Sequence, residues 1–164
     1  MRHRRRYKKL RRYSEHRLSM LRTLFKNILN SPKLEIVTTL ARAKALVNYS
    51  SKYITFAKKA AKIKELLNNA PEEEKNKLKT QLVNFSRKMY SVLRDRKMVK
   101  ALIDLGVVLN SAKKGESGSV GGYFKIYKLG FRRGDAAPVA LVKLVSWWYK
   151  KKWYKKNDTK KKIN

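Results

Sequence analysis

The chain has 164 residues and 43% of them are hydrophobic, which favours one domain with tails. Forty-three Lys and Arg stand against eleven Asp and Glu, a net charge of +32 with an isoelectric point near 10.6. A compact body of that charge repels itself until a polyanion neutralises it, which points to nucleic acid. The absence of Cys excludes disulfides and thiolate metal sites, and no apolar run approaches the roughly 18 residues of a spanning helix.

Residues 1–12 hold eight Lys or Arg and no acid, too little apolar surface to offset the entropy of ordering them without a polyanion. This basic start runs into an amphipathic helix rather than an apolar signal segment, and it reads as a mature N-terminus. The helix is expected over about Ser14 to Leu29. Leu18, Leu21, Leu24, Phe25, Ile28 and Leu29 recur at helical spacing, with Ser14 as N-cap and Asn30-Ser31-Pro32 as the stop. Leu34 to Thr39 has the β-branched content of a short strand, and Thr39 can cap the next helix. That helix, about Leu40 to Leu67, sets Ala43, Leu46, Val47, Tyr53, Ile54, Ala57 and Ala61 against a face of Arg42, Lys44, Lys52, Lys58, Lys59 and Lys62.

Asn68-Asn69-Ala70-Pro71 breaks the chain, and Glu72, Glu73 and Glu74 then suit the positive end of a new helix dipole. This acidic cluster reads as helix capping rather than as a metal or catalytic site. Leu78, Leu82, Phe85, Met89 and Leu93 continue that helix, and Asp95 can cap a shorter one carrying Val99, Leu102, Ile103 and Leu105, with Gly106 as its C-terminal stop. Asn110 to Gly122 reads as a Gly-, Ser- and Lys-rich loop without the phosphate-loop pattern of Gly-Lys-Ser/Thr. Tyr123 to Leu129 and Val139 to Val145 read as strands of an antiparallel hairpin turning at Gly130 to Asp135. The Leu34 strand joining them gives a three-stranded sheet backed by helices, an α+β fold with basic N- and C-terminal extensions. We divide the chain into a basic arm (1–13), a globular domain (14–145) and a Trp- and Lys-rich extension (146–164).

The two tails together hold sixteen basic residues, so the part between them keeps 27 against ten acids and is itself near +17. The folded surface must therefore also meet an anion. In the arm, Arg2, Arg4, Arg5, Arg6, Arg11 and Arg12 can fork onto phosphate or stack on bases, Lys8 and Lys9 add point charges, and Tyr7 and Tyr13 add stacking faces. The alternative is a solvated charge run or a localisation signal. In the tail, Trp153 and Tyr154 favour a partner, whereas Trp147 and Trp148 suit base stacking and packing against the sheet equally. His3 and His16 sit among cations, which suits phosphate contact better than general-base work, and no catalytic triad or ligand-spaced His cluster exists. Asp104 and Asp135 are isolated, so a two-carboxylate metal nuclease lacks a motif. The chain reads as a non-enzyme without metal, cofactor, small-molecule substrate or membrane partner.

Several segments resemble the bacterial-type large-subunit ribosomal protein seventeen family. They are Met1-Arg2-His3-Arg4, His16-Arg17 with Met20-Leu21-Arg22, Thr38-Thr39-Leu40-Ala41-Arg42-Ala43-Lys44, Ile54-Thr55-Phe56-Ala57-Lys58, Gly121-Gly122-Tyr123 and Gly130 to Pro138. The resemblance implies a mixed α/β domain, a structural place in the large subunit near the peptide exit side, and partners in large-subunit rRNA and neighbouring large-subunit proteins. It also implies cytoplasmic ribosomes, with an organelle ribosome as the variant setting. It carries over the arm with His3, then His16, Arg17, Arg22, Thr38, Thr39, Lys44, Gly121, Gly122 and Tyr123 as rRNA-binding positions. Lys125, Arg132 and Arg133 join them on the basic surface of the hairpin. Three features depart from the family pattern: a longer region from Lys62 to Arg94, Tyr7 where Gly is common, and the tail. The competing reading is a nucleoid-type or regulatory DNA-binding protein, which needs a recognition helix or a minor-groove arm; no short helix-turn-helix with a Gly turn stands out.

Overall fold

The computed structural model describes residues 8–111 and 122–144. Its elements are α1 (Ser14–Asn30), β1 (Glu35–Thr39), α2 (Leu40–Asn69), α3 (Glu72–Leu93), α4 (Arg96–Ser111), β2 (Phe124–Phe131) and β3 (Pro138–Leu144). The chain divides into two compact units within α2. The described residues up to Tyr53 with Phe124–Leu144 form one, and Ile54 to Tyr123 belong to the other.

The first unit holds the sheet, in the order β1-β3-β2 with both pairings antiparallel. The sheet and the four helices make the expected mixed α+β fold. The hairpin strand β3 is central, and its Ala140, Val142 and Leu144 are buried at alternate positions, as a strand with one face on a core requires. Leu21, Phe25 and Ile28 of α1 and Ala43, Leu46 and Tyr53 of α2 supply the helical side of this core. Phe25 and Tyr53 stack with ring centroids 6.0 Å apart.

Ser14 does not cap α1. The N-cap is Tyr13, with extended backbone and no side-chain bond, and Ser14 is the first helical residue. The helix closes as Ser31 N–H donates to the Asn27 carbonyl, and a turn through Pro32 places Leu34 in the left-handed region at φ 52°. From there the Leu34 carbonyl accepts Leu144 N–H at 3.0 Å and so ties the turn to β3. In β2 the register shifts between Lys128 and Gly130, so Leu129 is an extra residue. Gly130 at φ 103° supplies the backbone conformation such a bulge favours.

The second unit contains the rest of α2 with α3 and α4. Pro71 is the N-cap of α3, and Glu72, Glu73 and Glu74 fill its first turn. Asp95 caps α4 as expected, its Oδ1 accepting Lys97 N–H at 2.8 Å. Gly106 does not end α4, which continues to Ser111. A Cβ at Gly106 would stand 2.5 Å from the Ala57 carbonyl oxygen, so this glycine lets α4 lie against the α2 backbone. Tertiary contact overrides the local preference of glycine for a helix end. Beside it, Asn110 Nδ2 donates to the Lys58 carbonyl at 3.0 Å.

Candidate nucleic-acid interface

Arg2, His3, Arg4, Arg5, Arg6 and Gly121 lie outside the described residues, as do most of the Gly-rich loop and the Trp- and Lys-rich tail. The described end of the arm is a tight turn. Arg12 N–H donates to the Lys9 carbonyl at 3.2 Å, with Leu10 and Arg11 both left-handed at φ 56° and 51°. Two such residues are the central pair of a mirror-image type I turn, a conformation that costs non-glycine residues about 1–2 kcal/mol each. Lys8, Lys9 and Arg11 are exposed around this turn. Arg12 is half-buried and reaches back to the exposed His16, with Nη1 2.5 Å from Nε2. The structure thus joins two of the sequence candidates into one hydrogen-bonded pair at the start of α1.

Arg22 is placed differently. Its Nε is buried without a hydrogen-bond partner, while its guanidinium bonds the Tyr49 hydroxyl. Tyr49 also receives the Tyr53 hydroxyl at 3.5 Å. Burial, aided by the Tyr53 contact and opposed by Arg22, pushes the Tyr49 phenol up to about 12. Lys52 lies 4.9 Å from the Tyr53 ring centroid and 5.5 Å from that of Tyr49, within cation–π range. Arg22 therefore anchors an aromatic cluster, and Tyr49 and Lys52 are members that spacing along the chain does not reveal.

Thr38 and Thr39 are half-buried at the end of β1, which runs directly into α2, and Lys44 is exposed one turn further on. On the sheet, Lys125 faces Lys143 across the β2–β3 pair, and Lys143 in turn holds Glu35 of β1 at 3.0 Å. Like charges directly opposite destabilise a sheet, and Glu35 offsets one of them. Lys125 is left as the exposed cation of this row.

The hairpin tip separates its two arginines. Arg132 grips Asp135 through a forked pair, with Nε 2.9 Å from Oδ1 and Nη2 on Oδ2. Asp135 Oδ1 also accepts Ala137 N–H at 3.2 Å. The Arg132 bonds lead, with Ala137 next, in drawing the Asp135 carboxyl down to about 2. Arg132 thus braces the loop with two of its five N–H groups, and Arg133 is an exposed cation at the tip. Gly122 is exposed at φ 76°. Tyr123, within the second unit, is buried, and Lys58 Nζ covers its ring 5.5 Å from the centroid. That ring face is occupied, so Tyr123 serves packing before stacking on a base.

Among the described residues there is no group of three or more potential metal ligands, and no helix is long and apolar enough to cross a membrane. The arrangement leaves Lys8, Lys9, Arg11, Lys44, Lys125 and Arg133 as exposed cations, the groups that contact with a phosphate backbone requires.

The family of ribosomal protein L17 matches residues 20–145. The region from Lys62 to Arg94 falls inside this span. Similar relatives include the large ribosomal subunit protein bL17 of Thermotoga neapolitana, 37% identical over 145 residues that cover 88% of this chain and 95% of the relative. The protein of the same name from Fervidobacterium nodosum is 37% identical with 88% and 99% covered. That of Kosmotoga olearia is 37% identical over 149 residues with 88% and 93% covered.

Proposed function

Because the chain belongs to the ribosomal protein L17 family, we infer that it is a structural, non-enzymatic constituent of the large ribosomal subunit. Its relatives are bacterial large-subunit proteins, and a ribosomal constituent of such a cell works in the cytoplasm. The observation that carries the reading is the family match over residues 20–145, and the charge of +32 supplies its physics. Close packing of rRNA segments is opposed by phosphate repulsion. A protein that lays Lys and Arg along them releases counterions and relieves it.

Within this role the arm, residues 1–13, follows rRNA phosphates, and His16 and Arg17 extend its track onto α1. Lys44, Lys125 and Arg133 are the exposed cations of the first unit that meet phosphate directly. Thr38, Thr39, Gly122 and Tyr123 shape the surface, and Arg22 and Arg132 hold it in position. Neighbouring large-subunit proteins are further partners. The tail, residues 146–164, adds a contact of its own; full subunit occupancy after deletion of Ser146–Asn164 would remove that role.

Competition between structured large-subunit rRNA and duplex DNA of equal length tests the reading. Preference for the rRNA at physiological salt is expected. Equal or better binding to duplex would favour the regulatory DNA-binding alternative.

A further inference from the structure

The second unit carries a groove of about 520 Å³ along α3 and α4 that no rRNA-binding position above includes. Two rows line it, each at helical i, i+4, i+7 spacing: Val83, Arg87 and Tyr90 on α3, and Arg96, Lys100 and Ile103 on α4. Val83 and Tyr90 are each 45% exposed, large apolar surface that a core residue would bury. The one acid in the lining, Asp104, is held by Lys64 at 3.2 Å, so Arg87, Arg96 and Lys100 are the cationic excess of the rim. An apolar floor under a positive rim fits a ligand that is flat and apolar at its centre and anionic at its edges.

We propose that this groove receives an unstacked nucleotide of large-subunit rRNA, with Tyr90 as the stacking face and Arg87, Arg96 and Lys100 holding the flanking phosphates. The proposal rests on the ribosomal reading and deepens it. An aromatic face is worth roughly 1–3 kcal/mol per stacked base, and guanidinium planes both stack and fork onto phosphate. The volume lies within the about 300–1,000 Å³ of sites that enclose a compact ligand. An acidic amphipathic helix would answer the rim charge, but helix-in-groove docking draws on a long row of apolar anchors. Here each row holds a single apolar residue, with Arg87 and Tyr90 filling the α3 row and Arg96 and Lys100 the α4 row.

The test is chemical probing of rRNA in large subunits carrying the full chain, with dimethyl sulfate and a carbodiimide as base-specific reagents. Wild type, Tyr90→Ala, Tyr90→Phe and the double variant Arg87→Glu/Arg96→Glu are compared. A small cluster of unpaired bases should be protected by wild type and by Tyr90→Phe, and should lose protection with Tyr90→Ala and with the double variant. Protections due to the arm serve as the internal reference. All substituted residues are exposed, and unchanged far-ultraviolet circular dichroism shows that each variant is folded. Identical base reactivity for wild type and both disruptive variants, with the arm's protections intact, overturns the groove proposal and leaves the ribosomal reading standing. An amine-reactive cross-link from Lys100 to an acidic protein segment overturns it in favour of a protein occupant. Failure of the wild-type chain to enter large subunits overturns the ribosomal reading itself.

Discussion

Replacing Gly106 with Ala sets two effects of opposite sign against each other. Alanine is the better helix former by about 1 kcal/mol in a helix interior. Its Cβ, however, would lie 2.5 Å from the Ala57 carbonyl oxygen, 2.7 Å from the Ala57 carbonyl carbon and 3.1 Å from Lys58 nitrogen. All three are backbone atoms, so relief requires α4 to withdraw from α2. Overpacking of this kind costs about 1–3 kcal/mol and occasionally more. Withdrawal also stretches the 3.0 Å bond from Asn110 Nδ2 to the Lys58 carbonyl, worth about 1 kcal/mol. The net expectation is a loss of about 1–3 kcal/mol. Urea unfolding followed by circular dichroism should show a midpoint lower by about 0.5–1.5 M for a slope near 2 kcal/mol per M. Asn110→Ala alone should lose only the hydrogen-bond share. A Gly106→Ala protein that is equal to wild type, or more stable by the propensity difference, would refute the close approach of the two helices.

At the hairpin tip, the lowered Asp135 carboxyl stabilises the loop fully above its ordinary value of 3.8, and that contribution is lost as pH falls through about 2. The Ala137 amide proton resonance should report this late titration, and Arg132→Gln should move the midpoint up towards the ordinary carboxylate range. Tyr49, raised to about 12, contributes stability that is complete below pH 10 and lost as pH rises through 12. Tyr49→Phe should remove a phenol that titrates at about 12 from the ultraviolet titration curve. It should also destabilise by about 1–3 kcal/mol, because the half-buried Arg22 guanidinium loses its contact with the Tyr49 hydroxyl. Neutralising Arg4, Arg5 and Arg6 to Gln should reduce the slope of log affinity for rRNA against log salt by about 2–3, as expected for three released phosphate contacts. An unchanged slope would count against the arm.

The elements were legible wherever one periodic stripe decides the matter. Leu21, Phe25 and Ile28 recur at helical spacing and are buried, and alternation in β3 marks Ala140 and Val142 as inward. Pro71, the three glutamates after it and Asp95 mark helix starts by local chemistry, and the structure places starts there. Gly106 misleads because its role depends on a backbone 49 residues away in sequence, where packing against Ala57 outweighs its tendency to end a helix. Ser14 misleads more mildly, one residue inside the helix it was expected to cap. Of the candidate interface, the density of cations was visible in the sequence, but their division of labour was not. Arg132 and Arg133 look alike in the chain, yet Asp135 engages only the first. Arg22 and Tyr49 are 27 residues apart, and only folding makes them partners.

The central claim is that this chain is a built-in part of the large subunit. Sedimentation of ribosomal particles carrying the tagged full chain through a series of increasing salt concentrations tests it most directly. Stoichiometric retention with large subunits at high salt is predicted, because a shaped surface seated among rRNA segments holds the chain where screened phosphate contacts alone would release it. Release at low salt, or migration with DNA, would contradict the ribosomal assignment while leaving the polyanion-binding charge intact.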